Sequence, residues 1–301
     1  MHEPLDAREP IAAAWRAPVT GHVVIISVDG LRPDAVDEFR APTIARLARE
    51  GSYSYSARTI MPSKTLPSHT SMLTGVTPLV HGITWNSDET ASRGDVRVPT
   101  IFRLARATGL VTAAFFSKTK FRHLEVSGSL DYSQSPSDGS ASWSAERTMR
   151  DLAHYLEIGR PNLLFVHVAE PDYAGHAAGW MSPSYFGAVH IADAAVARVM
   201  ALADTAFGEG EYTLMLTADH GGHAKTHGSS HLNDVLIPWI AWGKGVRPSM
   251  RLSTPIRTMD TAASALWLLG VRVPEVWSGR PVVDAFVGLD GAAGRSQVAD
   301  R

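Results

Sequence analysis

Apolar positions in this chain fall in short unbroken runs rather than in alternation with polar ones. Residues 22–28 (HVVIISV) are β-branched and lack a polar face, the pattern of a strand covered on both sides, and Asp29-Gly30 closes the run as a turn. Similar runs at 111–116 (VTAAFF), 162–169 (NLLFVHVA), 212–218 (YTLMLTA) and 237–242 (IPWIAW) predict further strands. Between them lie helical segments: 42–50 (PTIARLARE), with Pro at its start and Gly51 at its end, then 98–108, 142–158, 183–203 and 259–269. This alternation predicts an α/β fold with a mainly parallel central sheet and helices on both faces. The segment 127–142 (SGSLDYSQSPSDGSAS) reads as an exposed loop, and no repeat of fixed period is visible. No linker divides the chain, so a single domain is expected over 22–288. An extension over 1–21 precedes it, and a tail over 289–301 with little to bury follows.

Composition narrows the chemistry. A hydrophobic content of 45% with 19% charged residues supports a sizeable core, and a formal net charge of −2 gives no pull toward nucleic-acid polymers or anionic membranes. The absence of cysteine excludes disulfides, thiolate catalysis and sulfur-ligated zinc, leaving thirteen histidines as the main nitrogen ligands. The opening segment carries acids early and lacks an apolar run, unlike a secretory leader. No stretch reads as the roughly 18–20 apolar residues of a membrane span. A cytoplasmic protein without a membrane partner is the expectation; the sequence says nothing of oligomeric state.

Chemistry-bearing residues gather at predicted strand ends. Asp29 follows the first strand, Asp172 follows NLLFVHVAEP, and Asp219-His220 follow YTLMLTA. Sites in open α/β sheets form beyond the carboxyl ends of strands, so these acids can converge on one crevice. Asp172 and His176 stand four apart in EPDYAGHAAG and share a face if that segment is helical. Oxygen and imidazole donors without sulfur suit zinc, with manganese as the alternative. In MPSKTLPSHTSMLTG (61–75), Pro67 fits the first turn of a helix ending before Gly75. Thr65 then lies at or beside its N-terminus, where free N–H groups and the helix dipole favour an anion. Taken alone, Thr65 is an ordinary capping residue; a metal beside it would activate the hydroxyl.

Taken together and in order, VDGLRPD (28–34), MPSKTLPSHTSMLTG (61–75), HGITWN (81–86), EPDYAGHAAG (170–179) and TADHGGH (217–223) resemble the nucleotide pyrophosphatase/phosphodiesterase branch of the alkaline phosphatase superfamily. The resemblance implies an alkaline phosphatase-like fold and two divalent ions, most simply zinc. One ion is implied at Asp172, His176 and a later histidine, the other at Asp29, Thr65, Asp219 and His220. It further implies Thr65 as the nucleophile, Asn86 as a holder of a non-bridging phosphoryl oxygen, and a covalent phospho-threonine. With Asn86, the Leu66 N–H would complete an oxyanion hole. The substrate class implied is a small-molecule phosphate ester.

The chain departs from that pattern after His220, where family members usually carry a long insertion before the third metal histidine. Here the gap is very short, which predicts an open site and weakens any nucleotide preference. His227, followed by Gly228 and ten positions later by Ile237-Pro238, is the favoured third ligand, with His231 and His223 as alternatives. His69, His81 and His167 read as structural, Lys64 as solvated, and Trp85, Tyr173 and Trp180 as pocket or packing residues. A phosphodiesterase is expected, because Asn86 is neutral and no arginine stands in the nucleophile motif to meet a second phosphate charge. A phosphomonoesterase or phosphonate hydrolase on the same scaffold would need a cation from elsewhere, such as Lys118 or Arg122. A metal-binding protein without turnover is the non-enzymatic alternative.

Overall fold

The structure is a computed structural model that describes residues 15–37 and 39–287. Most of the expected N-terminal extension (residues 1–14) and the expected tail 289–301 lie outside the described residues. The strands are β1 (Val23–Val28), β2 (Ser52–Arg58), β3 (Thr112–Phe115), β4 (Tyr132–Gln134), β5 (Leu163–Val168), β6 (Thr213–Thr217), β7 (Leu236–Gly243) and β8 (Met250–Arg251). They form one sheet in the order β4-β3-β5-β1-β6-β7-β2-β8. Within it β7 alone runs against the rest, pairing antiparallel with both β6 and β2. The helices are α1 (Pro42–Glu50), α2 (Thr65–Thr74), α3 (Pro78–His81), α4 (Thr90–Arg93), α5 (Ile101–Ala107), α6 (Ala145–Ile158), α7 (Glu170–Ala178), α8 (Pro183–Phe207), α9 (Leu232–Val235) and α10 (Asp260–Leu268).

The unbroken apolar runs become the central strands because both faces of the sheet are covered. All six residues of β1 are buried, as are all six of β5 and all five of β6. On one face, Ser27 of β1 meets His69 of α2, and Phe165 of β5 meets His69 and Phe102 of α5. On the other, Phe115 of β3, in register with Val166, packs against Tyr155 of α6. Helix α2 starts at Thr65 and stops at Gly75, whose φ of 69° is left-handed and whose N–H bonds the Ser71 carbonyl.

Three elements differ from the sequence expectation. β2 (SYSYSAR) carries no apolar run, since as a half-covered strand it alternates serine with tyrosine. β4 lies inside the expected Ser-rich loop, held by β3. Helix α8, with 25 residues and a mean hydropathy of 1.5, is long and apolar enough to cross a membrane, contrary to the sequence expectation. In this fold half of its most apolar window is buried, and it packs against α6 and α7.

Candidate active site

Asp29 continues the β1 ladder by one bond, its N–H donating to Val168 O at 2.8 Å, which fixes the carboxylate just past the strand end. The chain then turns through Gly30, whose φ is 72° and where a Cβ would lie 3.0 Å from Asp172 Cα. Glycine is therefore required twice, for backbone conformation and for the close approach of α7. Asp219 and His220 follow β6, and the Asp219 Oδ1 atom accepts from the N–H groups of Gly30 and His220 at 3.1 and 3.0 Å. Asp172 and His176 lie on α7, one turn apart, so both project the same way.

Two clusters result. In the first, His220 Nε2 lies 3.4 Å from Asp29 Oδ1, 3.1 Å from Asp219 Oδ2 and 3.3 Å from Thr65 Oγ1. In the second, Asp172 Oδ1 lies 3.3 Å from His176 Nε2 and 3.6 Å from His227 Nε2. The rings of His220 and His227 stack at 3.6 Å, so the clusters adjoin. His223 and His231 are placed elsewhere: they stack on each other at 4.4 Å, and His223 Nδ1 donates to Asp234 at 2.6 Å.

The imidazole tautomers follow from their partners. Nδ1 of His220, His176 and His227 meets the backbone carbonyls of Gly221, Lys225 and Ser63 at 2.8, 3.0 and 2.9 Å. A carbonyl only accepts, so each Nδ1 carries the proton and each Nε2 presents a lone pair to the cluster. The carboxylates complement them. Asp29 Oδ1, Asp172 Oδ1 and Asp219 Oδ2 are buried without a hydrogen-bond partner, and all three face these Nε2 atoms. Buried carboxylate oxygens left without donors are costly unless a cation meets them. The donor set thus fits two divalent ions, one at Asp29, Thr65, Asp219 and His220 and one at Asp172, His176 and His227.

Charge burial shows the same demand. Burial, reinforced by the charges of Asp29 and Asp172, pushes the Asp219 carboxyl well above the usual carboxylate range. Burial also works against the charge of Asp29, but Lys118 and the His167 hydrogen bond outweigh it and hold that carboxyl well below its ordinary value. Burial, with the facing His227, pushes His220 down to about 3, so its Nε2 lone pair is free at neutral pH.

Lys118 ties the clusters together. Its ammonium is buried and donates to Asp29 Oδ2 at 2.7 Å and Asp172 Oδ2 at 2.6 Å. Each aspartate therefore turns one oxygen to Lys118 and the other to its own histidines. His167 supports Asp29 Oδ2 from behind at 3.1 Å, its other nitrogen meeting Ser117 Oγ at 2.5 Å. His69 links the Thr65 carbonyl to Ser27 Oγ, both at 2.8 Å. Trp180 is a buried wedge: its Nε1 donates to Gly30 O at 3.0 Å, and a Cβ on Gly175 or Gly222 would lie 2.6 or 2.2 Å from its ring.

Several expectations about the phosphoryl end need correction. The Leu66 N–H is not free, because it donates to Asn86 Oδ1 at 3.0 Å. That bond fixes the amide, so Asn86 offers its NH2 group away from Leu66. Lys118 is paired with two carboxylates, and Arg122 is exposed, lying 3.6 Å from Asp88. The cation beside Asn86 is Lys120, whose Nζ lies 3.5 Å from Asn86 Oδ1. Its sequence signal was the end of a strand, two residues beyond Lys118. Tyr173 is partly exposed with its ring 4.6 Å from Lys118 Nζ, Trp85 receives Arg93 on its face, and the Lys64 stem lies along Gly228.

Comparison with known proteins bears on this arrangement. Residues 23–263 match the family profile described as type I phosphodiesterase / nucleotide pyrophosphatase. Among curated proteins, GPI ethanolamine phosphate transferase 1 of Candida glabrata is 30% identical over 132 residues, covering 38% of this chain and 14% of the relative. Human ectonucleotide pyrophosphatase/phosphodiesterase family member 1 is 26% identical over 273 residues, covering 82% of this chain and 29% of the relative. The chain thus spans less than a third of either. Among solved structures, an inactive variant of murine ectonucleotide pyrophosphatase / phosphodiesterase 5, in complex with AMP, aligns with a TM-score of 0.70 at 16% identity, covering 84% of this chain and 96% of that one. A 2-O GAG sulfatase aligns with a TM-score of 0.70 at 17% identity, covering 87% and 73%, so the fold is shared across both enzyme groups.

Proposed function

Because the chain belongs to the type I phosphodiesterase / nucleotide pyrophosphatase family, whose fold is alkaline phosphatase-like, we propose that it is a two-metal phosphate ester hydrolase acting through Thr65. One observation carries this: three buried carboxylate oxygens without hydrogen-bond partners face imidazole Nε2 atoms, beside a threonine hydroxyl at a helix N-terminus. Two divalent cations, zinc or manganese, would supply charge that lowers the hydroxyl pKa of Thr65 and stabilises the departing oxygen.

The chain's own groups account for the remainder. Helix α2 and the His69 bond to the Thr65 carbonyl hold the hydroxyl at the cluster edge. The Asn86 NH2, oriented by Leu66, donates to a non-bridging oxygen as charge grows there. Thr65 Oγ forms a bond to phosphorus as the bond to the leaving oxygen breaks; the hydroxyl proton goes to solvent and the leaving oxygen takes one up. Water then attacks the phospho-threonine, releasing the phosphate product and restoring the hydroxyl. If an alcohol replaces water, the same steps give a transferase, a second reading motivated by the similarity to GPI ethanolamine phosphate transferases.

The test is hydrolysis of p-nitrophenyl phosphate esters by zinc- and manganese-loaded protein. Exhaustive chelation should abolish turnover, and Thr65→Ala should lower kcat by at least about 10³-fold with metal content retained. Acid-quenched enzyme should carry phosphate on Thr65 by peptide mass spectrometry, and ethanolamine or glycerol in the assay should yield a phosphorylated alcohol only if the transferase reading holds. Turnover that survives chelation, or near-normal turnover by the alanine variant, would refute the proposal.

A further inference from the structure

Lys120 is a half-buried cation at this site with no carboxylate within ion-pair distance among the described residues. Its ammonium donates to the neutral Asn86 Oδ1 at 3.5 Å, an atom that also accepts from the Leu66 N–H. Lys118, two residues earlier, spends its charge on Asp29 and Asp172, and Arg122, two residues later, turns outward to Asp88. Burial disfavours this ammonium, and the carboxylates of Asp29, Asp172 and Asp219 offset that cost only in part, from beyond ion-pair distance. We propose that Lys120 is a specificity residue that meets the second negative charge of a dianionic phosphoryl group, so that the site takes monoesters or phosphonates. This rests on the two-metal reading and refines it.

The position supports the assignment. The Asn86 Oδ1 is shared by Leu66 and Lys120, so Lys120 stands beside the amide whose NH2 is assigned above to a non-bridging phosphoryl oxygen. The charge balance agrees. With both divalent cations bound, the carboxylates of Asp29, Asp172 and Asp219 and the ammonium groups of Lys118 and Lys120 would leave a surplus of two positive charges once Thr65 is ionised, the charge of a phosphate monoester dianion. A diester would leave one positive charge unmatched. A diester was the expectation while no cation stood near Asn86.

The experiment compares p-nitrophenyl phosphate with bis(p-nitrophenyl) phosphate, which share a leaving group, at pH 8 on zinc-loaded wild type, Lys120→Met and Lys120→Arg. Wild type should favour the monoester. Lys120→Met should lower the monoester-to-diester ratio of kcat/KM by roughly 10- to 100-fold, the worth of one charge-assisted hydrogen bond, and Lys120→Arg should recover much of it. A second readout is calorimetric: orthophosphate should bind Thr65→Ala more tightly than Thr65→Ala/Lys120→Met by tenfold or more, while dimethyl phosphate should not distinguish them. Phenylphosphonate in place of orthophosphate tells a phosphonate site from one restricted to phosphate. An unchanged substrate ratio together with equal orthophosphate affinity overturns the proposal. Loaded wild type that hydrolyses neither ester and traps no phospho-threonine instead overturns the two-metal reading, and the calorimetry still decides the role of Lys120. Circular dichroism and zinc content establish that each variant is folded.

Discussion

Replacing Lys118 with methionine isolates the link between the two clusters. Methionine nearly matches the lysine stem but carries no charge. It removes two charge-assisted hydrogen bonds, at 2.7 Å to Asp29 and 2.6 Å to Asp172, from a position 3% exposed. Two buried carboxylates would then face each other with no cation between them. Removing one partner of a buried pair costs about 3–5 kcal/mol, largely because the remaining charge is left uncompensated. For a domain of this size that corresponds to a fall in Tm of roughly 6–20 °C. The loss should appear in the chelated protein. Saturating zinc should shrink it, because Asp29 Oδ1 and Asp172 Oδ1 each face a candidate metal site and bound cations would replace the missing charge. Scanning calorimetry of wild type and Lys118→Met, each with chelator and with zinc, gives the four numbers needed. A chelated variant melting within about 2 °C of wild type, or a gap that zinc leaves unchanged, would refute this account of Lys118.

Two further outcomes are expected. His227→Ala should cut zinc stoichiometry from two to one by mass spectrometry of the dialysed protein, whereas His231→Ala should leave it at two; the reverse pattern would reassign the third histidine. His81 and His123 are neutral in the fold, burial having pushed both down to about 4 from the ordinary imidazole value. The unfolded chain takes up these protons near pH 6.5 and the folded chain only near pH 4. Stability present above pH 6.5 is therefore lost as pH falls through that window, by about 3 kcal/mol for each histidine. Urea unfolding of chelated protein should show a shallower loss for His123→Gln; an identical loss would remove His123 from the explanation.

What was legible in the sequence is what depends on local pattern. The buried runs that became β1, β5 and β6 announce themselves by having no polar face, and the acids after them fall at strand ends because a carboxylate interrupts such a run. The boundaries of α2 followed from Pro67 and Gly75, and the Asp172–His176 pair from a spacing of four on a helix. β2 escaped notice because a serine–tyrosine alternation can be a half-covered strand or a loop, and only its pairing with β7 decides. The direction of β7 was equally hidden, since a buried run carries no mark of polarity. The lysines were the hardest. Lys118, Lys120 and Arg122 look alike as cations after β3, yet one is consumed by aspartates, one stands beside Asn86, and one leaves for solvent. Such a division depends on carboxylates from strands far away in the chain.

The indole of Trp180 sets a condition on how this chain can vary over time. It is clasped by Gly175 from α7 and Gly222 from the turn after β6, and its N–H reaches Gly30 after β1. A side chain at 175 or 222 cannot enter while the indole is there, and a smaller residue at 180 would open a void between two segments that carry metal-ligand candidates. Positions 175, 180 and 222 therefore behave as one heritable unit: a lineage that loses the tryptophan is released from both glycines together, and one that keeps it is free at neither. A library that randomises these three positions jointly should return functional combinations that single-site scans would never reach.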